Sequence, residues 1–204
     1  AGAVRVDGEK MSKSLGNFFT IREVLEKYHP EVVRYLLVSS HYRSPINYSE
    51  DSLREAKGAL ERFYNALKGL PDAAPAGGEV FVERFAAAMD DDFNSPEACA
   101  VLFELVREIN RLRESDVQAA AALAARLKEL AGVLGVLQLE PEAFLQAGAA
   151  GKVDAAEVEA LIAARLQARA EKNWGESDRI RDQLTAMGVV LEDGKGATTW
   201  RLAD

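Results

Sequence analysis

Hydrophobic residues recur every three or four positions over most of this chain, which is the spacing expected for amphipathic α-helices. The pattern is clearest over residues 50–69, 96–113 and 116–137. In the first of these stretches the apolar positions are Leu53, Ala56, Leu60, Phe63, Tyr64 and Leu67. Because short segments connect the stretches, we expect the helices to pack as a bundle over residues 50–137. The predicted fold class is mainly α.

Two shorter helices are predicted before the bundle. Thr20-Ile21-Arg22-Glu23 is a capping box, which indicates a helix that begins at this point and extends to about Tyr28. Pro30 suits the first position of a second helix, where its missing N–H is not needed. Residues 39–48 are polar and aromatic, so we expect an irregular segment. Ser49 then provides the N-cap of the first bundle helix.

Two short patterns stand apart from the helical repeat. Val4 and Val6 alternate with other residues as in a strand or a hairpin arm, but the sequence offers this piece no partner. Farther along, Asp90-Asp91-Asp92 has the carboxylates of a metal site without the glycine-containing spacing of a calcium loop. Asn94-Ser95-Pro96 opens a helix directly afterwards, so we interpret the acids as helix-start residues favoured by the helix dipole. No metal site is predicted.

The C-terminal region differs from the bundle. Two helical stretches, interrupted at Trp174-Gly175, are followed by two strand-like runs, Val189–Glu192 and Thr198–Leu202. Runs of this length, joined by a short glycine-containing turn, predict a β-hairpin. We therefore predict a small α+β unit over residues 154–204, joined to the bundle by a linker at 138–153.

Composition narrows the class of protein. Of the 204 residues 48% are hydrophobic, which is ordinary for a globular protein. No run of apolar residues is long enough to cross a membrane, and no charged-then-apolar leader opens the chain. We therefore expect a cytoplasmic protein without a membrane partner. The single cysteine, Cys99, excludes an internal disulfide, and its apolar helical surroundings indicate a buried, unreactive thiol.

The net charge of −8 argues against nucleic-acid binding by long-range attraction. The charge is unevenly distributed, however. Residues 1–48 carry seven basic and five acidic side chains, which leaves +2 there and −10 in the remainder. If RNA is a partner, a local basic face and a matching shape must provide the contact.

The strongest candidate for chemistry is the segment Lys10-Met11-Ser12-Lys13-Ser14-Leu15-Gly16-Asn17. Gly8 and Gly16 permit backbone angles that residues with side chains avoid, and lysine is a compact point charge suited to phosphate. These residues indicate a mobile polyanion-binding loop. Two lysines alone would indicate only a solvated basic turn.

The same segment resembles the KMSKS signature of class I aminoacyl-tRNA synthetases, since all five signature positions are present. Together with Leu15-Gly16-Asn17 and the sequel Phe18–Leu25, it is similar to the signature of cysteinyl-tRNA synthetases in particular. Asp91–Ala98 with Val101–Leu105 resembles the opening of that family's helical anticodon-binding domain. The resemblance covers essentially the whole chain and indicates the C-terminal part of a larger protein, beginning just before the signature.

The resemblance implies a division into domains. Residues 1–19 would end the catalytic domain, 20–49 would contact the stem of the tRNA, 50–137 would form a tRNA-binding bundle, and 154–204 would recognise the anticodon. The implied reaction activates cysteine with ATP and transfers it to tRNA(Cys). The family's zinc ligands and most of its ATP and cysteine site would lie upstream. We therefore expect the isolated chain to be inactive, without zinc, and a monomer.

The resemblance also implies roles for the loop residues. Lys13, assisted by Lys10, would stabilise the charge that builds up on the triphosphate as pyrophosphate leaves. The implied ATP-binding set is Lys10, Met11, Ser12, Lys13 and Ser14.

In the C-terminal unit, four residues match positions with which members of the family read anticodon bases: Arg169, Trp174, Asp178 and Asp193. Trp174 would stack on a base, while the carboxylates accept hydrogen bonds from base amino groups and Arg169 donates one. Without the resemblance, Trp174 and Trp200 would both be interpreted as core residues, and Asp193 as a turn residue. We keep the core interpretation for Trp200.

Residues 39–48 leave two interpretations open. His41, Tyr42 and Arg43 in a loop are the side chains that a contact with a ribose-phosphate backbone needs. Alternatively, Tyr42 and Tyr48 pack against neighbouring helices.

Two other functions also remain open. A related enzyme of the same superfamily uses cysteinyl-adenylate to acylate an amino sugar in mycothiol synthesis, although the residues that match anticodon readers argue for tRNA. The chain could instead be a stand-alone helical RNA-binding or protein-interaction module that keeps the signature without catalysis. A parent protein about two to two and a half times this length would favour the ligase, whereas a native product of 204 residues would favour the module.

Overall fold

The structure, a computed structural model, describes residues 3–147, 155–193 and 198–202. The chain forms two compact units, residues 1–141 and 142–204, which we call the first and the second unit. Helices dominate, so the prediction of a mainly α fold is confirmed. None of the described helices combines the length and the apolar character that a membrane span requires.

The first unit consists of a small sheet and a set of packed helices. Its elements are β1 (Val4–Val6), β2 (Glu9–Lys10), α1 (Ile21–Leu25), α2 (Pro30–Val38), β3 (Ile46–Tyr48), α3 (Glu50–Leu67), α4 (Glu79–Asp90), α5 (Ser95–Leu112) and α6 (Val117–Val133). After α7 (Pro141–Ala147), the second unit contains α8 (Ala155–Ala170), α9 (Trp174–Ala186), β4 (Val189–Asp193) and β5 (Thr198–Leu202).

The sheet of the first unit corrects two predictions. β1 pairs antiparallel with β2 and parallel with β3, with Val4 opposite Ile46 and Val6 opposite Tyr48. The strand at Val4 and Val6 therefore has two partners, and the end of the segment predicted to be irregular is a strand. Neither pattern revealed the pairing with β3, because β3 lies about forty residues along the chain and has only three residues, too few for a periodicity.

The predicted helix starts are confirmed by their hydrogen bonds. Thr20 accepts from the N–H of Glu23 at 3.3 Å while the Glu23 carboxylate accepts from the N–H of Thr20 at 2.5 Å, which completes the capping box. Pro30 is the first residue of α2. The Oγ of Ser49 accepts from the N–H of Ser52 at 3.0 Å at the start of α3.

The core of the first unit lies where α3, α5 and α6 pack together, with α2 against α3 and α4 against α5. The largest fully buried side chains include Leu53, Leu60, Phe63, Tyr64, Leu102, Leu105, Ile109 and Leu127. These are positions of the three-to-four repeat, so the predicted bundle is present. Cys99 is also buried, and burial raises the pKa of its thiol to about 11, which keeps the reactive thiolate scarce at neutral pH.

A buried carboxylate joins three parts of the first unit. Glu31, in the first turn of α2, is only 6% exposed. The hydroxyl of Tyr64 on α3 donates to its two oxygens at 2.8 and 3.0 Å, and the N–H of Leu137, after α6, donates to Oε1. The N–H of Leu139 donates in turn to the Tyr64 hydroxyl at 3.2 Å. Burial, followed by the hydrogen bond to Glu31, raises the pKa of Tyr64.

The same contacts explain why α6 ends early. Leu137 was predicted to be helical, but α6 ends at Val133. Gly135 and Leu137 have φ angles of 69° and 60°, which reverse the chain and present the N–H of Leu137 to Glu31. The guanidinium of Arg34 also donates to the carbonyl of Gly135 at 2.8 Å. The helical repeat continues through this turn because its apolar side chains face the same core.

The second unit packs α8 and α9 against the β4–β5 hairpin. Its core consists of Val158, Ile162, Ile180, Leu184, Val189 and Trp200. Trp200 is 3% exposed, and its Nε1 donates to Glu159 at 2.7 Å, so the core interpretation of this residue is confirmed. Strands β4 and β5 are antiparallel, with Val189 opposite Leu202. The predicted turn, beyond Asp193, lies outside the described residues.

Removing the buried carboxylate should weaken the first unit. We expect Glu31→Ala to lower the free energy of unfolding by about 3 kcal/mol, because the Tyr64 hydroxyl and the Leu137 N–H would lose a buried acceptor. Urea unfolding followed by circular dichroism measures the change. Glu83→Ala, at an exposed glutamate of α4, is the matched control and should stay within about 0.5 kcal/mol. Equal urea midpoints for the two variants would contradict the prediction.

Candidate functional site

The backbone of the loop from Lys10 to Asn17 is anchored to the sheet. Lys10 is the last residue of β2, and the N–H of Met11 donates to the carbonyl of Val4 in β1 at 3.3 Å. Residues Lys13–Leu15 form one turn of 3-10 helix, in which the N–H of Gly16 donates to the carbonyl of Lys13 at 3.2 Å. Gly16 has a φ of 69°, a conformation that favours glycine.

Asn17 closes the loop with its side chain. Its Oδ1 accepts from the N–H of Ser12 at 2.8 Å, and its Nδ2 donates to the carbonyl of Lys10 at 3.2 Å. Asn17 is the last residue of the signature segment, and the resemblance implies no role for it. The available signal was the residue type, since short amide side chains bond readily to nearby backbone. Asn17 therefore fixes the backbone that carries both lysines.

The loop presents its charged side chains to solvent. Lys10, Lys13 and Ser14 are exposed, and the Nζ of Lys13 lies 5.3 Å from the centre of the Phe18 ring. The hydroxyls of Ser12 and Ser14 are 3.2 Å apart. Two ammonium groups, two hydroxyls and a fixed backbone form a surface that suits a polyphosphate.

Met11 has a different environment from the lysines. It lines an apolar concavity of about 500 Å³ together with Val4, Phe19 and Tyr48. The rings of Phe19 and Tyr48 are in contact, with their centres 4.1 Å apart. The side chain of Met11 thus contributes to the apolar base of the loop, and its predicted part in ATP binding remains a prediction.

The aromatic and basic residues of the 39–48 segment converge on Asp92. The Tyr42 hydroxyl donates to Asp92 at 2.7 Å, Arg43 Nε lies 2.9 Å from the other oxygen, and His41 Nε2 lies 3.9 Å from that oxygen. The Tyr42 hydrogen bond, helped by Arg43, lowers the pKa of Asp92. Tyr42 remains 41% exposed. These side chains therefore have intramolecular partners and still reach the surface.

These contacts also correct the interpretation of the acidic run. Asp90 is the last residue of α4, Asp91 is its C-cap, and α5 is capped by Asn94. Asp92 is held by Tyr42 and its neighbours, so these contacts, rather than the dipole of α5, stabilise its ionised carboxylate. Within the described residues, no group of three or more potential ligands is arranged to hold a metal ion.

In the second unit, Trp174 is the first residue of α9 and is 59% exposed. The turn before it is tightly bonded. Lys172 has a φ of 58°, the N–H of Asn173 donates to the carbonyl of Ala168 at 2.8 Å, and the Asn173 side chain accepts from the N–H of Glu176 at 3.2 Å. This turn holds the indole outside the core, unlike that of Trp200.

The other three candidates are distributed over three elements. Asp178 lies four residues after Trp174, on the same face of α9, and pairs with Arg181 at 3.2 Å. Arg169 is exposed in the last turn of α8, the helix that packs on α9. Asp193 ends β4, and its side chain lies outside the described residues. The structure thus brings Trp174 and Asp178 together and places Arg169 on the adjacent helix.

Loss of the Asn17 bridge should open the loop. We expect Asn17→Ala to increase the rate of tryptic cleavage after Lys10 and Lys13 several-fold, because the segment loses both side-chain bonds that close it. Mass spectrometry of short native digests measures the cleavage. Gln118→Ala, which removes an exposed amide from α6, should leave the rate unchanged. Equal cleavage of the two variants would show that Asn17 does not control loop opening.

Three protein families match successive parts of the chain. Residues 1–58 match the family described as tRNA synthetases class I (C) catalytic domain. Residues 84–138 match the DALR domain, and residues 155–201 match the Cysteinyl-tRNA ligase anticodon binding domain. The loop therefore falls within the first match and Trp174 within the third.

Curated relatives match the chain over its whole length. The cysteine–tRNA ligases of Ectopseudomonas mendocina and Stutzerimonas stutzeri are each 91% identical over 204 residues, and that of Azotobacter vinelandii is 85% identical. In each case the match covers 100% of this chain and 44% of the relative, so the chain spans less than half the length of these proteins. Over its whole length the chain is therefore similar to cysteine–tRNA ligases, and this similarity includes the signature loop and the anticodon-binding match.

Proposed function

We propose that this chain is part of a cysteine–tRNA ligase, which activates cysteine with ATP and transfers it to tRNA(Cys). The observation that carries the proposal is the signature loop, whose backbone is fixed by Asn17 and whose Lys10 and Lys13 face solvent. The 91% identity to proteins named as cysteine–tRNA ligases supports it.

In the proposed reaction, Lys13 acts on the triphosphate. A carboxylate oxygen of cysteine attacks the α-phosphorus of ATP, and the bond from that phosphorus to the bridging oxygen of pyrophosphate breaks. Negative charge increases on the phosphate oxygens during this displacement, so an ammonium group delivered to them stabilises the transition state more than the ground state. Lys10 assists from the end of β2, and Ser12 and Ser14 offer hydroxyls to the same phosphates.

The apolar concavity beside the loop is consistent with a larger protein. Ile21, Leu25 and Leu37 line it and are 74, 41 and 47% exposed. Exposed apolar groups that cluster in this way mark surfaces that another part of a protein covers. We propose that the remainder of the ligase covers this concavity and supplies most of the ATP and cysteine site. Zinc would belong to that remainder, and we assign it no step in this chain.

For the RNA, we propose that the units have separate roles. Residues 20–49 contact the stem of the tRNA, the bundle over residues 50–137 also binds the tRNA, and residues 154–204 read the anticodon. The exposed indole of Trp174 supports the last assignment, because an aromatic ring outside the core can stack on an unpaired base. Asp178 and Asp193 would accept hydrogen bonds from base amino groups, and Arg169 would donate one.

A lysine substitution tests the catalytic role. In the intact ligase, Lys13→Ala should lower the rate constant of ATP–pyrophosphate exchange about a hundredfold or more, as for other lost electrostatic stabilisers. The KM for ATP should change less, because the interaction strengthens in the transition state. Lys27→Ala, at an exposed lysine after α1, is the control and should retain its activity. Unchanged exchange in Lys13→Ala would remove this residue from the mechanism.

A tryptophan substitution tests anticodon recognition. The Trp174→Ala chain should bind the anticodon stem-loop of tRNA(Cys) about tenfold more weakly, which corresponds to the loss of one stacked base. Trp174→Phe should recover most of the affinity because it keeps a ring. Leu166→Ala, at an exposed leucine of α8, controls for lost apolar surface. Fluorescence anisotropy of a labelled stem-loop measures all four proteins, and equal affinities would exclude stacking on Trp174.

A further inference from the structure

A groove between α3 and α5 combines positive charge, amide groups and an aromatic wall. Its volume is about 400 Å³, within the range of small-ligand sites. Arg62 and Asn65 line it from α3, and Phe103, Arg107 and Asn110 line it from α5. Residues three or four apart share a helix face, so the two helices each present one cation and one amide to the same space.

Arg62 is held in place by an aromatic stack. Its guanidinium carbon lies 4.8 Å from the centre of the Phe103 ring. Phe103 in turn stacks on Phe63 with ring centres 4.4 Å apart and an angle of 21° between the planes, and Phe63 is fully buried. The ring restricts the motion of the guanidinium that lies over it. The N–H groups of the guanidinium then stay in one orientation, in which an incoming acceptor can reach them.

The acidic residues beside the groove form ion pairs with basic residues other than Arg62 and Arg107. The pairs are Glu61 with Lys57 at 3.4 Å, Glu104 with Arg84 at 2.5 Å and Glu108 with Arg111 at 2.6 Å. Arg84, and more weakly Arg107, lower the pKa of Glu104. Among the residues that the structure describes, neither Arg62 nor Arg107 forms an ion pair of its own. The positive charge of the groove is therefore available to a ligand, although the protein as a whole carries −8.

We propose that this groove binds the phosphodiester backbone of RNA. Two guanidinium groups suit two phosphates, because the planar fork donates to both phosphate oxygens at once. The amides of Asn65 and Asn110 both donate and accept, which matches the ribose 2′-hydroxyl. An acidic peptide would satisfy the arginines, and its main chain would also satisfy the amides, so the proposed function is what favours RNA over such a peptide. The inference rests on the proposed function, since the RNA in question is tRNA(Cys).

The test compares two double variants that each remove two positive charges from the first unit. Arg62→Gln/Arg107→Gln empties the groove of cations. Arg54→Gln/Arg126→Gln is the matched control, because Arg54 on α3 and Arg126 on α6 are paired with Asp51 at 2.8 Å and Glu129 at 2.6 Å, and none of these four residues lines the groove. The affinity of each 204-residue chain for a tRNA(Cys) transcript is measured at several salt concentrations. Circular dichroism confirms that the variants are folded.

The groove variant should bind about tenfold more weakly than the control, and its slope of log affinity against log salt should be smaller by about two, one for each lost phosphate contact. Arg62→Lys/Arg107→Lys should keep the slope while losing part of the affinity, since lysine keeps the charge and loses the fork.

Two results would overturn the proposal, and they differ in what else they affect. Equal affinities and slopes for the groove and control variants, with binding by the unmodified chain intact, would exclude the groove alone. Selective loss of binding to polyglutamate by the groove variant, with tRNA binding unchanged, would also exclude it and indicate an acidic protein partner. If the unmodified chain does not bind tRNA(Cys) at all, the RNA-binding part of the proposed function fails together with the groove.

Discussion

The hydrogen bonds to the buried carboxylate of Glu31 are the interaction on which the first unit depends. A carboxylate with only 6% of its surface exposed is costly to remove from water unless donors surround it. Here the donors come from α3, through Tyr64, and from the turn after α6, through Leu137. One side chain of α2 therefore fixes how the bundle closes. Any other placement of α2 would leave these polar groups buried without partners.

This constraint extends to the candidate catalytic loop. α2 is followed by the segment that ends in β3, and β3 pairs with β1, which also pairs with the strand that leads into the loop. The sheet is too small to be stable alone, so its position depends on the helices to which it is joined. Asn17 then fixes the last part, the backbone that carries Lys10 and Lys13. The loop is thus positioned by the bundle as well as by its own sequence.

Local ion pairs, more than the net charge, decide where positive charge is available on this protein. The chain is acidic overall. Most acidic side chains on α3 and α5 form ion pairs with a nearby arginine or lysine, whereas Lys10, Lys13, Arg62 and Arg107 face solvent. The net negative charge would repel an approaching RNA, while the local basic surfaces would attract it. Such an arrangement favours binding that depends on shape and position over indiscriminate attraction.

The sequence by itself determined the features that are local. The three-to-four repeat predicted the bundle, the residues at Thr20, Pro30 and Ser49 predicted helix starts, and the signature residues predicted the family, because each depends on residues within a few positions of one another. Only the tertiary structure decided the rest. Four features depend on segments forty or more residues apart: the pairing of β1 with β3, the acceptor for Leu137, the role of Asp92 and the joining of Arg62 with Arg107. A local sequence pattern contains no information about which distant groups come into contact.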